Sequence, residues 1–209
     1  MNSGAGPGEG VIKYRLRFER RRVSVWPGYP CLNAWRRVLF RLQLIGQDRF
    51  RYQGLGFGNV SERVAQGFMI SATQTGGVEN LRPDQYCLVH RADLGANLVV
   101  ASGGAPPSSE ALTHAAVYEA SSRVRVVLHG HSPDIWEQAD RLGLAATSSE
   151  IDYGTPAMAE AVVCLVKKHP EDDIIVMKGH RDGFLAYGES VQGAGRLVVE
   201  TLARAWALI

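Results

Sequence analysis

The chain has 209 residues, of which 45% are hydrophobic and 21% charged, with a formal net charge of +2. That length supports one large domain whose core needs no disulfide staples, and the near-neutral balance excludes a surface-wide field that would dictate a polyanionic partner. Cys31, Cys87 and Cys164 are scattered and form no C-x-x-C pair, which argues against a disulfide framework and for a reducing, cytoplasmic setting. No apolar run is long enough to cross a bilayer, and the opening MNSGAGPGEG lacks the apolar segment of a secretory signal.

The first ten residues are Gly-rich and small, and are expected to be disordered. Residues 11–26 begin with a period of two, Ile12, Tyr14, Leu16 and Phe18 against Lys13, Arg15, Arg17 and Glu19, which predicts a half-buried strand. The basic run Arg20, Arg21 and Arg22 is read as the solvated face of an edge strand, so no nucleic-acid partner is expected. Pro27, Gly28 and Pro30 interrupt the chain, and a helix is expected from Asn33 to about Gln43, with Trp35, Leu39 and Leu42 along one side. GLGFGNVSER, residues 54–63, reads as a Gly-rich turn. Strands are predicted at 67–71, 86–90 and 96–102. A helix opened by Pro106 and Pro107 runs to about Ser121, and VRVVLHGH at 124–131 is a strongly apolar strand. Helices near 132–142 and 155–168, strands at 173–177 and 184–187, and an amphipathic helix over 189–208 complete a mixed α/β domain.

The local signal with most chemistry in it is His129-Gly130-His131, at the end of that apolar strand. Residues i and i+2 project from one face of a strand, with Cα atoms roughly 6–7 Å apart, so two imidazoles can converge on one ion. The alternative is two histidines with ordinary hydrogen bonds. A third histidine, His180, follows the apolar strand DIIVM, and three neutral imidazoles with an open fourth position describe a catalytic rather than a structural zinc site. His169, in KKHPEDD, is expected at the surface, and His90 ends a strand without an identifiable partner. Glu110, in the first turn of its helix, is either a dipole-favoured carboxylate or an acid/base and potential ligand. His114, one turn on, either orients Glu110 or is simply packed, and a supporting role is preferred. Ser108 and Ser109 at a helix start suggest an anion site, with helix capping as the plainer alternative. Asn59, after Gly54, Gly56 and Gly58, lacks the dinucleotide fingerprint, and Thr75-Gly76-Gly77 is a second tight polar turn.

Taken in order, GNVSER at 58–63, ISATQTGG at 70–77, PSSEALTH at 107–114, HGHS at 129–132 and GHRDGFLAYGES at 179–190 resemble the class II aldolase/adducin family, whose members include fuculose-phosphate and rhamnulose-phosphate aldolases. The likeness runs from about Trp35 to the C-terminus, leaving 1–30 as an N-terminal extension and 31–209 as one domain. It implies a three-layer α/β/α fold with a largely antiparallel central sheet. It further implies one zinc ion (cobalt, manganese, nickel or iron being possible substitutes) on His129, His131 and His180, with Glu110 as acid/base. It implies a phosphate pocket formed by Asn59, Thr75, Gly76, Ser108 and Ser109, a ketose phosphate or related sugar cleaved through a metal-stabilised enediolate, and a homotetramer. The third ligand departs from the family's usual Asn-His-Gly, reading Gly179-His180-Arg181, and the tyrosine that assists the aldolases has no matched counterpart here, Tyr153 lying nearby in sequence without aligning to it. Sugar-phosphate epimerases, a methylthioribulose-phosphate dehydratase and a non-catalytic adducin-like binding module share the scaffold.

Overall fold

The computed structural model describes residues 11–209; the opening ten, expected to be disordered, lie outside the described residues. In chain order the elements are β1 (Arg15–Arg20), α1 (Tyr29–Arg41), the short strands β2 (Gly46–Gln47) and β3 (Gly56–Phe57), then β4 (Asn59–Val64), β5 (Gly67–Ser71), β6 (Tyr86–Asp93) and β7 (Leu98–Gly103). There follow α2 (Ala111–Ala120), β8 (Val126–His131), α3 (Pro133–Glu137), α4 (Ala139–Leu142), β9 (Ala145–Ala146), α5 (Pro156–Lys168), β10 (Ile174–Val176), β11 (Gly183–Gly188) and α6 (Val191–Trp206).

Among the described residues nine strands form one sheet in the order β1-β7-β6-β5-β4-β8-β11-β10-β9. Every inner pairing is antiparallel, and only the two edge pairs, β1 with β7 and β9 with β10, are parallel. Helices cover both faces, so the expected three layers are present. On one face α2 and α5 pack Leu112, Ala116, Met158 and Val162 over Val127, Leu185 and Val89. On the other, Leu32 and Leu39 of α1 and Val198 and Leu202 of α6 cover Leu128, Phe184 and Val60. All six residues of β8 are buried, as expected of a strand sandwiched between helical layers, and each fully buried Val or Leu contributes roughly 1.5–3 kcal/mol. α2 is buried almost all round because α5 lies over it.

Several boundaries differ from the sequence reading. Pro30 does not interrupt the chain; it occupies the first turn of α1, where its missing N–H would have had no intrahelical partner. The Gly-rich stretch 54–63 is a turn only in its first half. Asn59-Val60-Ser61-Glu62-Arg63 is strand β4, paired on both sides. The expected helix at 132–142 breaks at Gln138 into α3 and α4. His90 does not end a strand: β6 continues through a bulge to Asp93, and exposed His90 places Nε2 2.8 Å from Ser102 Oγ. His169 is half-buried, 3.6 Å from Asp172. Arg20, Arg21 and Arg22 are exposed, and Arg21 pairs with Glu19. No helix among the described residues is long and apolar enough to cross a membrane.

Gly130 lies on the β8 face opposite its two histidines. A methyl group there would come within 2.6 Å of the Phe184 ring and 3.1 Å of the Leu44 carbonyl oxygen. Gly130→Ala is therefore expected to lower stability by about 1–3 kcal/mol through overpacking, seen as a lower urea midpoint at unchanged slope.

Candidate metal centre and active site

Strand β8 sits between β4 and β11, and the register sets Asn59 opposite His129 on one side and Gly183 opposite His131 on the other. His129 and His131 thus share the α2 face of the sheet. His180 enters from the turn before β11, where His180 N donates to Met177 O and Gly183 N to His180 O, both at 2.9 Å. All three histidines are buried. Their ligand atoms lie within 4.8 Å of one another, and they are the one His/Cys/Asp/Glu group among the described residues arranged to hold a metal ion.

Two features test the fit of an ion. His129 Nδ1 is 2.9 Å from Phe184 O and donates to it, which leaves Nε2 as the atom with a lone pair for a metal. His129 Nε2 and His131 Nε2 stand 3.2 Å apart. Nitrogens about 2.0–2.1 Å from one ion at a tetrahedral angle lie roughly 3.3–3.4 Å from each other, so the pair is set at a ligand–ligand separation. Burial, reinforced by His180 and His129, holds the His131 pKa well below the usual imidazole value. His131 is therefore neutral at pH 7, the form a metal requires.

Glu110 is not in the first turn of α2 but at its N-cap, with φ −90° and ψ 10°. It is almost fully buried, and Thr113 Oγ1 donates to its Oε2 at 2.7 Å. Thr113 thus takes the orienting place considered for His114. The His114 ring instead meets strand β4, with Nδ1 2.7 Å from Ser61 Oγ, itself 2.7 Å from Tyr118 OH. Desolvation, then His129, lowers the His114 pKa, so this ring is neutral as well.

The five residues expected to hold phosphate come together. Asn59, Thr75, Gly76, Ser108 and Ser109 line one small polar concavity with Gly56, Gly58 and Gln74. Two loops close it: Thr73 N donates to Pro106 O at 2.9 Å and Ser108 N to Ser71 O at 3.2 Å, beside a bridge between Ala72 and Pro107. Gly58 has φ +74°, and a side chain there would reach within 2.7 Å of Ile45 and 3.1 Å of the His129 carbonyl. Gly76 packs so closely that a Cβ would lie 2.7 Å from Phe57 N. Both positions need glycine to let backbone approach backbone. Asn59 Oδ1 is buried without a hydrogen-bond partner among the described residues, and an asparagine amide offers an anion two N–H donors as well.

Arg36 and Tyr52 carried no individual signal in the sequence, and Tyr153 only its place in the chain. Arg36 is fully buried, and its guanidinium donates to Thr75 O and Val78 O at 2.7 Å and to Glu79 O at 3.1 Å, clamping the turn that carries Thr75 and Gly76. Burial lowers its pKa to about 10, so it stays charged at pH 7. Its position was readable: Leu32, Arg36 and Leu39 recur at helical spacing on the buried face of α1, and a cation on an apolar stripe asks for acceptors. Tyr52 packs its ring 4.7 Å from that of His131 and donates to Asp182 Oδ2 at 2.7 Å, while Asp182 O accepts from Ser132 N. Tyr153 stacks on His180 at 4.4 Å with the rings 18° apart. No periodicity marks these loop residues.

The buried three-histidine cluster and the polar concavity meet on a sheet covered by helices on both faces, with Asn59 of the concavity paired opposite His129. The model of the Class II Aldolase and Adducin N-terminal domain matches residues 47–207, and the chain belongs to that family. Among curated proteins it is similar to the methylthioribulose-1-phosphate dehydratase of Gluconacetobacter diazotrophicus, 39% identical over 93 residues, which cover 41% of this chain and 39% of that protein. Among solved structures it is similar to L-fuculose-1-phosphate aldolase from Thermus thermophilus, at TM-score 0.67 and 19% identity over 86% of this chain and 91% of that one. It is also similar to a sugar-phosphate aldolase from Thermotoga maritima, at TM-score 0.58 and 15% identity over 84% and 93%.

Replacing Arg36 by Met would leave three carbonyls of the 75–79 turn without their donor. The expected cost is about 2–4 kcal/mol of stability, measured by urea unfolding, whereas Arg37→Met, which breaks only an exposed pair with Glu79, should cost about 1 kcal/mol or less.

Proposed function

We propose that this protein is a metal-dependent lyase that cleaves a carbon–carbon bond of a ketose phosphate, with His129, His131 and His180 as metal ligands and Glu110 as acid/base. The observation that carries the reading is the juxtaposition of the three imidazoles with Glu110 and the Asn59–Thr75–Gly76–Ser108–Ser109 concavity. One set suits a divalent ion, zinc by preference for imidazole ligands, and the other suits a phosphate. When bound, the ion supplies Lewis acidity toward a ketose carbonyl and the negative charge that builds on neighbouring oxygens. The concavity offers backbone N–H groups, hydroxyls and an amide to the phosphate, which fixes the reacting carbons beside Glu110. Glu110, held at one oxygen by Thr113, moves the proton to or from the carbon next to the carbonyl. Burial of the whole cluster keeps bulk water away from that carbanion-like carbon. A cytoplasmic homotetramer is part of the same reading, on family membership.

A second reaction on the same residues has a specific observation in its favour. The 39% identity to a methylthioribulose-1-phosphate dehydratase supports elimination of water: Glu110 would take the proton beside the carbonyl and the hydroxyl on the next carbon would leave. Both reactions place negative charge at the same carbon, so the two share every residue named above.

The test begins with metal content by elemental mass spectrometry on protein purified without a histidine tag. About one ion per chain is expected, and it should be lost in His129→Ala, His131→Ala and His180→Ala. Full stoichiometry in any one variant removes that residue from the ligand set. Glu110→Gln should keep the ion and lose turnover by roughly 10²–10⁴-fold. Fuculose 1-phosphate and methylthioribulose 1-phosphate are the first substrates to offer. Release of an aldehyde and a triose phosphate marks cleavage, and a product lighter by one water marks elimination.

A further inference from the structure

The N-terminal segment reaches the site. Tyr14 is buried and donates its hydroxyl hydrogen to Ser108 O at 2.8 Å, on the loop that leads into Glu110. Lys13, its neighbour, donates from Nζ to Tyr153 O at 3.0 Å and places that ammonium 3.7 Å from the centre of the Tyr153 ring. The ring in turn stacks on His180, and His180 lies 5.0 Å from His129, nearly parallel to it. Ammonium, phenol ring and imidazole ring therefore form one column that ends in the metal cluster. The Lys13 stem and the Glu110 carboxylate flank Gly154: a Cβ there would be 3.6 Å from Lys13 Cδ and 3.8 Å from Glu110 Oε1.

We propose that Lys13 is a positioning residue of this active site, which holds Tyr153 flat on His180 and makes the N-terminal segment part of the catalytic unit. Its kinetic consequence rests on the lyase reading above; its geometry does not. A cation over the face of an aromatic ring is attracted by the ring's negative quadrupole, and the hydrogen bond to the Tyr153 carbonyl fixes the backbone that carries the ring. The opposite side of the loop is held by Gly179, where any side chain would collide with the Ile151 carbonyl. Lys13 is itself anchored, since Asn97 Nδ2 donates to Lys13 O at 3.1 Å and Arg15 N to Asn97 O at 2.8 Å. With both sides held, the phenol ring covers one face of His180 and limits rotation of the imidazole. A ligand ring free to turn would carry its nitrogen off the ion. Loss of a group that orients a metal ligand costs roughly 10–100-fold in activity or metal affinity.

The test compares Lys13→Met, which keeps the stem and removes the charge, with Lys13→Arg, which keeps a cation for the ring. The metal-independent readout is the His180 Cε1–H resonance of the full chain with ¹³C-labelled histidine, with zinc added and after chelation, because a stacked phenol shields that proton. Tyr153→Leu supplies the resonance position of an uncovered ring, and His90 and His169 serve as references that should not move. Lys13→Met is expected to move the His180 resonance toward the Tyr153→Leu position and to lower kcat at least about tenfold with little change in KM, and Lys13→Arg to restore both. An unmoved His180 resonance in Lys13→Met overturns the proposal, as does a moved resonance with unchanged kcat. A wild-type chain inactive on both sugar phosphates would refute the lyase reading, while the resonance would still decide whether Lys13 holds Tyr153. If Lys13→Met does not fold, Lys13→Gln takes its place with the same outcomes.

Discussion

The pairing of β8 on both of its edges is the constraint on which the site depends. A strand with β4 on one side and β11 on the other cannot slip by one residue without turning Val127, His129 and His131 to the opposite face and losing two ladders at once. That register delivers everything else. β4 begins at Asn59, opposite His129, and so brings the polar concavity to the first histidine. β11 begins at Gly183, opposite His131, and so brings the turn bearing His180 to the second. The hydrogen bond from His129 to Phe184 O then selects the ring nitrogen that faces the cluster.

Around this rigid strand the site is made of loops held in uncommon conformations. Tyr52, Gln53, Gln74 and Asp182 all have positive φ, a cost of order 1–3 kcal/mol at each such non-glycine position, and three of these four have side chains engaged at the site's edge. The surrounding structure offsets that cost with buried polar contacts. Arg36 binds three carbonyls of one turn, and Asp182 takes the Tyr52 hydroxyl while its own carbonyl receives Ser132 N. Removing one partner from such a buried contact leaves the other group unsatisfied at a cost of about 1–3 kcal/mol, which ties the stability of these loops to the geometry of the site.

The architecture also separates the polar groups by type. The hydroxyls of Thr75, Ser108 and Ser109 line the concavity and the imidazoles form the buried cluster, with Glu110 at the α2 N-cap directly after Ser109. Thr113 fixes one oxygen of the Glu110 carboxylate.

The sequence by itself determined the strands and helices with strong periodicity. The apolar run ending in His129-Gly130-His131 reads as a buried strand with two histidines on one face, and β5 coincides with the predicted 67–71. Local pattern was enough there because burial of one face dictates the period. It also brought out His180, Glu110 and the polar turns, whose order along the chain matched a known family. It could not place β4, because Gly-rich residues before Asn59 look the same whether a turn ends or a strand begins. Nor could it show that Thr113 rather than His114 holds Glu110, that Arg36 clamps the 75–79 turn, or that Lys13 and Tyr14, just ahead of the edge strand β1, reach the site. Those contacts join residues from 39 to 140 positions apart, apart from the local Thr113 pair. They arise when nine strands stack in an order different from their order in the chain, and tertiary packing alone sets that order.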